Sequence, residues 1–291
     1  MQDSKKVTFW LANKAPKINR QITNLYMILD GCTMTDAPIL LRSDSNSIAT
    51  LTLNQPKKFN VLSFELMALM QTTLEQIAED KSVRVVVIAG NGKAFCAGHD
   101  LKEMMANSDD AAIRELFTKC SKMMVTLTSI PQPVIAKIQG IATAAGCQLV
   151  AQCDLAVASK NATFATSGIG VGLFCGTPSV AVTRNLPRKQ AMEMLLTGDF
   201  INAEKAQSFG MINQVVEHDM LDDAVESLAH KIASKGPEFI ANGKKLFYTQ
   251  IENGMEAAYQ QATECMVENM QMPGAKEGLQ AFIDKKPMPE W

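Results

Sequence analysis

Two short segments hold the residue types and spacing from which chemistry could be built. Ala94-Phe95-Cys96-Ala97-Gly98-His99-Asp100-Leu101 follows an apolar run and leads into helix-forming sequence, and Gln139-Gly140-Ile141-Ala142-Thr143-Ala144-Ala145-Gly146-Cys147-Gln148 repeats the arrangement one unit later. Small residues let a ligand approach the main chain closely, and the first N–H groups of a helix have no intrahelical acceptor. Two such N–H groups meeting at one oxygen would stabilise an enolate or a tetrahedral oxyanion. The same composition also suits two ordinary strand-to-helix turns in which glycine and alanine serve packing alone.

A few side chains add to this inventory. His99 is the only histidine in either segment, and imidazole titrates near neutrality, so it could act as acid or base, or pack or cap. Cys147 and Cys175 could be nucleophiles as thiolates, although a buried thiol behaving as a small hydrophobe is the commoner case. Thr166 and Ser167 could order a water. Asp100 reads as the N-cap of the helix it precedes, and Asp154 as a cap or turn residue.

These segments need a scaffold. SIATLTL (47–53) alternates as a strand, with Ala49, Leu51 and Leu53 on one face. Gln55-Pro56 breaks it, Ser63 offers an N-cap, and Leu66, Leu69, Met70, Leu74 and Ile77 form a helical stripe ending near Asp80. VRVVVIAG (83–90) is apolar without alternation, as in a sheet covered on both faces. A helix over 110–128, the strand VIAKI (134–138), a small-residue helix over 144–153 and the strand LAVAS (155–159) repeat the unit. RKQAMEMLLTG with a Gly198 stop, a helix over 203–209 and the strand INQVV (212–216) follow. After about residue 219 only helices are expected, among whose residues Phe239, Leu246, Phe247, Tyr259 and Met266 exceed what one subunit can cover.

The bulk properties narrow the function classes. The 291 residues are 47% hydrophobic and 20% charged with a net charge of −2, which gives no reason to expect nucleic acid as a partner. Seven scattered cysteines form no CxxC pair, and only three histidines accompany them, so zinc or cluster spacing is absent and reduced thiols are expected. No apolar run approaches the roughly 20 residues of a membrane span. Residues 4–29 carry Lys5, Lys6, Lys14, Lys17 and Arg20 and no acid, and Met34 reads as a second start. That pattern fits an extension outside the fold, a targeting segment or an ordered arm.

Several longer motifs occur in fixed order: LNQPKKFNVLS (53–63), FCAGHDLKEM (95–104), PVIAKIQGIATAAGCQLVAQCDLAVAS (133–159) and LLTGDFINAEKAQSFGMINQVV (195–216). Together they resemble the enoyl-CoA hydratase/isomerase (crotonase) superfamily over roughly residues 39–285. The resemblance implies an α/β fold, a spiral of ββα turns followed by a helical trimerisation region, with trimers often paired into hexamers. The corresponding parts are an N-terminal extension (1–38), a ββα core (39–218) and a helical oligomerisation region (219–291). It implies an acyl-CoA or enoyl-CoA thioester as partner, in fatty-acid or acyl-CoA metabolism, with coenzyme A as part of the substrate and no prosthetic group or metal. The expected compartment is the cytoplasm in a bacterium or the mitochondrial matrix in a eukaryote.

By the same resemblance the thioester carbonyl sits between the N–H groups of His99 and Ala145. The loop of Cys96, Ala97, His99, Asp100 and Leu101 holds adenine and pantetheine. Lys57, Lys58 and Lys285 or Lys286 either contact phosphates or are solvated surface charges. The departures matter equally. One hydratase glutamate falls at Gln148, and the second falls in ATSGIG at Gly168. A neutral amide cannot act as general base and glycine has no side chain, while each such group is worth about 10²–10⁴ in rate. Three readings remain: a divergent lyase, isomerase or thioester hydrolase; a catalytically weak acyl-CoA binder or regulator; and an oligomeric scaffold with a vestigial pocket.

Overall fold

A computed structural model describes residues 37–291, which form one compact unit. Most of the N-terminal extension, including Met34 and its basic run, lies outside the described residues. The first two strands, β1 (Leu40–Ser45) and β2 (Ile48–Leu53), make an antiparallel hairpin that pairs Leu40 with Leu53 and Ser45 with Ile48. Asn46 and Ser47 form its turn at φ 51° and 62°, as a two-residue hairpin loop requires. β2 has the expected face, with Ala49, Leu51 and Leu53 fully buried. β1 is not apparent in the sequence: five of its six residues are exposed, so no alternation marks it, and its ladder to β2 holds it in place.

The next helix, α1 (Phe64–Glu79), starts on Ser63, whose Oγ accepts the Leu66 N–H at 3.2 Å, and stops at Asp80. Its buried stripe is Leu66, Met67, Met70, Leu74 and Ile77. Leu69 faces outward at 41% exposure. Three similar units follow. β3 (Val85–Gly90) and β4 (Ala94–Cys96) precede α2 (Leu101–Ala106) and α3 (Asp110–Ser129). β5 (Val134–Ile138) and β6 (Ile141–Thr143) precede α4 (Ala145–Gln152). β7 (Leu155–Ser159) and β8 (Thr163–Ala165) precede α5 (Gly176–Asn185) and α6 (Arg188–Thr197). Then come β9 (Ile201–Asn202), α7 (Ala203–Ser208) and β10 (Gln214–Val216).

In each unit the two strands part company. The long ones join a six-stranded sheet in the order β1-β2-β3-β5-β7-β10, and the short ones join a four-stranded sheet in the order β4-β6-β8-β9. β2, β3, β5, β7 and β10 are mutually parallel along their sheet, and β4, β6 and β8 are parallel in the other. This is the expected ββα repetition. The second strand of each pair has only three residues, too few to show a period, in segments that read as loops or turns. α5 was equally hidden, since its Gly, Pro, Thr and Val content favours no helix.

Four helices complete the chain: α8 (Leu221–Ala233), α9 (Pro237–Gln250), α10 (Met255–Gln271) and α11 (Pro273–Ile283). α8 lays Leu221, Val225, Ala229 and Ala233 on Ile48, Val85, Val87, Ile135 and Val157, so the second face of the large sheet is covered by the first helix past residue 219. α9 is fastened to the core by a polar cluster. Lys244 Nζ donates to Leu127 O at 2.7 Å, Gln132 O at 2.8 Å and Asp154 Oδ2 at 2.7 Å. Tyr248 donates to Asp154 Oδ1 at 2.8 Å and the Val134 N–H to Oδ2 at 2.6 Å. Asp154 is therefore the centre of a buried network and not a local cap. Burial lowers the Lys244 pKa against the pull of Asp154, and burial raises that of Tyr248 together with Asp154. Of the apolar residues expected to stand free, Phe247, Tyr259 and Met266 are exposed, whereas Leu246 is half-buried and Phe239 packs edge-on against Trp291 at 5.4 Å. No described helix is long and apolar enough to cross a membrane.

Candidate active site

The two small-residue segments meet. Both connect a short strand of the four-stranded sheet to a helix, β4 to α2 and β6 to α4, and β4 pairs directly with β6. Gly98 sits at φ +89°, where a Cβ would stand 3.0 Å from Ala144 Cβ and 3.1 Å from Ala145 N. Only glycine allows the first loop to lie on the start of α4. Gly146 makes the reciprocal approach, since a Cβ there would penetrate the Cys96 carbonyl. Around them the main chain is pinned: Leu62 N–H donates to Gly98 O at 2.7 Å and Ala97 N–H to Phe59 O at 3.0 Å. Asp100 caps α2, its carboxylate accepting from Lys102 N at 2.9 Å and Glu103 N at 3.3 Å.

His99 and Ala145 line one cavity of about 430 Å³. Among the described residues neither of their N–H groups is donated to a protein acceptor. The remaining walls are mostly apolar: Leu101, Met104 and Phe117 on one side, Leu173, Phe174 and Pro178 on another. His99 and Cys175 are the ionisable side chains of the lining. The imidazole packs edge-on against Phe117 at 5.4 Å, and both ring nitrogens are buried without a hydrogen-bond partner. Burial, opposed in part by the Leu62 main chain, pushes its pKa below the usual histidine value and so favours the neutral ring.

The positions of the expected glutamates differ from each other. Gln148 is buried at 4% exposure one helical turn below Ala145, outside the cavity lining, with Oε1 unpartnered. Gly168 does line the cavity, but a Cβ there would stand 2.5 Å from Leu173 O and 2.9 Å from Cys175 Sγ. Ser167 lines the cavity and shares a 2.6 Å hydrogen bond with Thr143, whereas Thr166 is buried and spends its hydroxyl on Met194 O at 2.6 Å. Thr166 thus presents no hydroxyl to the cavity. Cys147 is fully buried away from the lining, and burial pushes its thiol up to about 12, as it does for Cys96. Burial thus favours the protonated thiol in both, the poorer nucleophile.

Ala97, His99 and Leu101 of the expected coenzyme loop face the cavity, while Cys96 and Asp100 do not. None of the four lysines lines it. Lys57 and Lys58 are exposed on a 3₁₀ turn over Pro56–Lys58, Lys285 is exposed, and Lys286 pairs with Asp284 at 3.0 Å. Sequence reasoning missed the apolar walls. Leu173-Phe174 lies in an irregular segment, and Phe117 is one of several apolar residues on α3.

Residues 43–291 match the family model described as enoyl-CoA hydratase/isomerase. The chain belongs to the enoyl-CoA hydratase/isomerase family. A Xenopus laevis relative, the mitochondrial enoyl-CoA hydratase domain-containing protein 3, is 38% identical over 290 residues, 97% of this chain and 98% of its own length. The human crystal structure of that protein is 39% identical, with a TM-score of 0.84 over 87% of this chain and 100% of its own. A Mycobacterium smegmatis enoyl-CoA hydratase structure is 50% identical, with a TM-score of 0.86 over 88% of this chain and 99% of that one. The fold is the crotonase spiral.

Proposed function

We propose that this crotonase-family chain binds an acyl thioester of coenzyme A in the 430 Å³ cavity, its carbonyl oxygen taking the N–H groups of His99 and Ala145. The observation that carries the reading is that both N–H groups are undonated and belong to residues lining the same mostly apolar space. Unpaired buried donors are costly in a folded protein and gain a partner when an oxyanion binds. In reaction the thioester would pass through an enolate or tetrahedral species whose negative oxygen accepts from both N–H groups. Coenzyme A enters as part of the substrate, along Ala97, His99 and Leu101.

The chain acts as an enzyme of lyase, isomerase or thioester-hydrolase type, and not as a proficient two-glutamate hydratase. Gln148 is a neutral amide outside the lining, and the Gly168 site has no room for a side chain. The alternative, an acyl-CoA binder that turns over little, draws on the same two positions. Assembly into trimers, or pairs of trimers, would cover Phe247, Tyr259, Met266, Val267 and Phe282, all exposed on the last three helices. In a eukaryote the mitochondrial matrix is the proposed compartment, by analogy with the mitochondrial Xenopus laevis relative, and in a bacterium the cytoplasm.

The test is calorimetric titration with butyryl-CoA, followed by turnover of saturated, 2-enoyl and 3-hydroxyacyl thioesters read by mass spectrometry. Micromolar binding is expected, with crotonyl-CoA hydration slower by about 10² or more than in a two-glutamate hydratase. Hydration at an ordinary hydratase rate would overturn the reading of Gln148 and Gly168, and absence of binding would overturn the site itself.

A further inference from the structure

After Gly168 the chain turns through Gly172 at φ 83° and comes back on itself, Leu173 N–H donating to Gly168 O at 2.9 Å. It then reaches Cys175 at the N-terminus of α5. The Gly168 N–H donates to Cys175 Sγ at 3.3 Å, and the sulfur stands 2.9 Å from where a Cβ on residue 168 would be. The thiol thus takes up the space that a side chain at 168 would enter. It is 6% exposed, in no disulfide, and alone among the described cysteines it lines the cavity.

A separate feature marks this cavity as a place for a ligand. The main-chain N–H groups of His99 and Ala145, two residues of its lining, are undonated. Such groups are rarely left empty-handed in a folded protein. The cavity therefore combines an oxyanion-binding main chain with a soft nucleophile on another element, in walls that carry no carboxylate.

We propose that Cys175 adds to the β-carbon of a 2-enoyl thioester bound in this cavity, capturing the unsaturated acyl-CoA as a covalent, reversible thioether. The inference rests on the acyl-CoA reading above and adds to it a capture step at the same site. The sulfur lone pair forms the S–Cβ bond as the C=C π pair moves toward the α-carbon and the carbonyl oxygen. The N–H groups of His99 and Ala145 hold the resulting enolate charge. The thiol proton ends on the α-carbon, coenzyme A stays attached, and nothing is oxidised or reduced. No carboxylate is needed, because nucleophile and proton come from one group. Attack on the thioester carbonyl would merely exchange one thioester for another, with no net gain in bonding to make it accumulate. The α5 N-terminus and the Gly168 N–H favour the thiolate, while burial opposes it, so capture speeds up as pH rises.

The experiment incubates the full chain with crotonyl-CoA or butyryl-CoA and reads intact mass, then maps modified peptides. Crotonyl-CoA should add its whole mass at Cys175, butyryl-CoA should add nothing, and excess butyryl-CoA should block capture by competition. In Cys175→Ser, capture should slow by about ten-fold or more, the hydroxyl being the poorer nucleophile. Peptide mapping of the unaltered chain decides the matter even if that variant folds poorly. A gain of the acyl mass alone, labelling spread over other cysteines, or an unmodified protein that still binds butyryl-CoA would each overturn the inference and leave the acyl-CoA site standing. Failure to bind butyryl-CoA at all would instead remove the reading beneath it.

Discussion

Two walls of the cavity use glycine in opposite ways. On the first, Gly98 and Gly146 let two loops interlock so that the N–H groups of His99 and Ala145 are left over. On the second, Gly168 yields its side-chain space to Leu173 O and Cys175 Sγ, which belong to the protein itself. On the proposed reading one glycine contact assembles a place for a ligand's oxygen, and the other closes the place where an acid–base side chain would reach in. The pair separates two contributions that are usually fused in such a site. On the proposed reading main-chain electrostatics is kept, in a cavity whose lining holds no carboxylate.

The first wall should be the more fragile. Gly98→Ala places a Cβ at φ +89°, 3.0–3.2 Å from Ala144 Cβ, Ala145 N and Thr143 O. Strain at such a position costs about 1–3 kcal/mol, and a donor turned away from a neutral carbonyl oxygen loses one hydrogen bond, about 0.5–1.5 kcal/mol. Butyryl-CoA affinity should therefore fall by about ten-fold, with a lowered melting temperature, in calorimetry and thermal unfolding. Retained affinity in a folded Gly98→Ala protein would detach the two loops from ligand binding and erase the contrast between the walls.

On the second wall the effects should be smaller and divided. Gln148→Glu meets no steric obstacle but buries a carboxylate where the amide Oε1 already lacks a partner, so it should destabilise by about 1–3 kcal/mol without creating hydration. Gly168→Glu must displace Leu173 O, 2.5 Å from its Cβ. The double variant should be no better a hydratase than either single one, because the residue-168 loop must move before its carboxylate can face the substrate. Crotonyl-CoA hydration followed by absorbance decides this. A double variant that hydrates at least about ten-fold faster than both singles would show the loop to be compliant and the second wall merely unfilled.

How much of this could be read from the residues varies with the range of the interaction. The two small-residue segments were legible because small residues at a strand-to-helix junction are a local pattern. The same holds for Ser63 as a cap, Asp100 as a cap and Gly198 as a stop at φ 68°. β1 was illegible because its ladder to β2, not burial, defines it. The three-residue strands β4, β6 and β8 were too short for any period. Asp154 looked like a turn residue because its partners Lys244 and Tyr248 lie 90 and 94 positions away. The cavity walls behave likewise: Phe117, Phe174 and Cys175 gain their meaning only when α3 and the residue-168 loop close on the same space. Chemistry carried by the main chain leaves a local trace, and chemistry carried by convergence of distant side chains does not.

The smallest effect concerns His99, whose two roles can be separated because the N–H belongs to the main chain and the imidazole does not. Burial lowers its folded-state pKa below the ordinary value of 6.5. A depressed histidine favours the neutral ring in the fold, so its contribution to stability is complete above about pH 6.5 and is lost as pH falls through the lower folded value. His99→Phe keeps the N–H and the packing on Phe117 while removing the titration. Denaturant unfolding of the two proteins should thus differ by a constant amount above about pH 6.5, with the wild type losing ground only on acidification. At pH 7.5 the variant should bind butyryl-CoA within about three-fold of wild type, since the N–H, not the ring, meets the oxygen. A large loss of affinity with unchanged folding would move the ring itself onto the ligand. It would then make the first wall one of side-chain as well as main-chain chemistry.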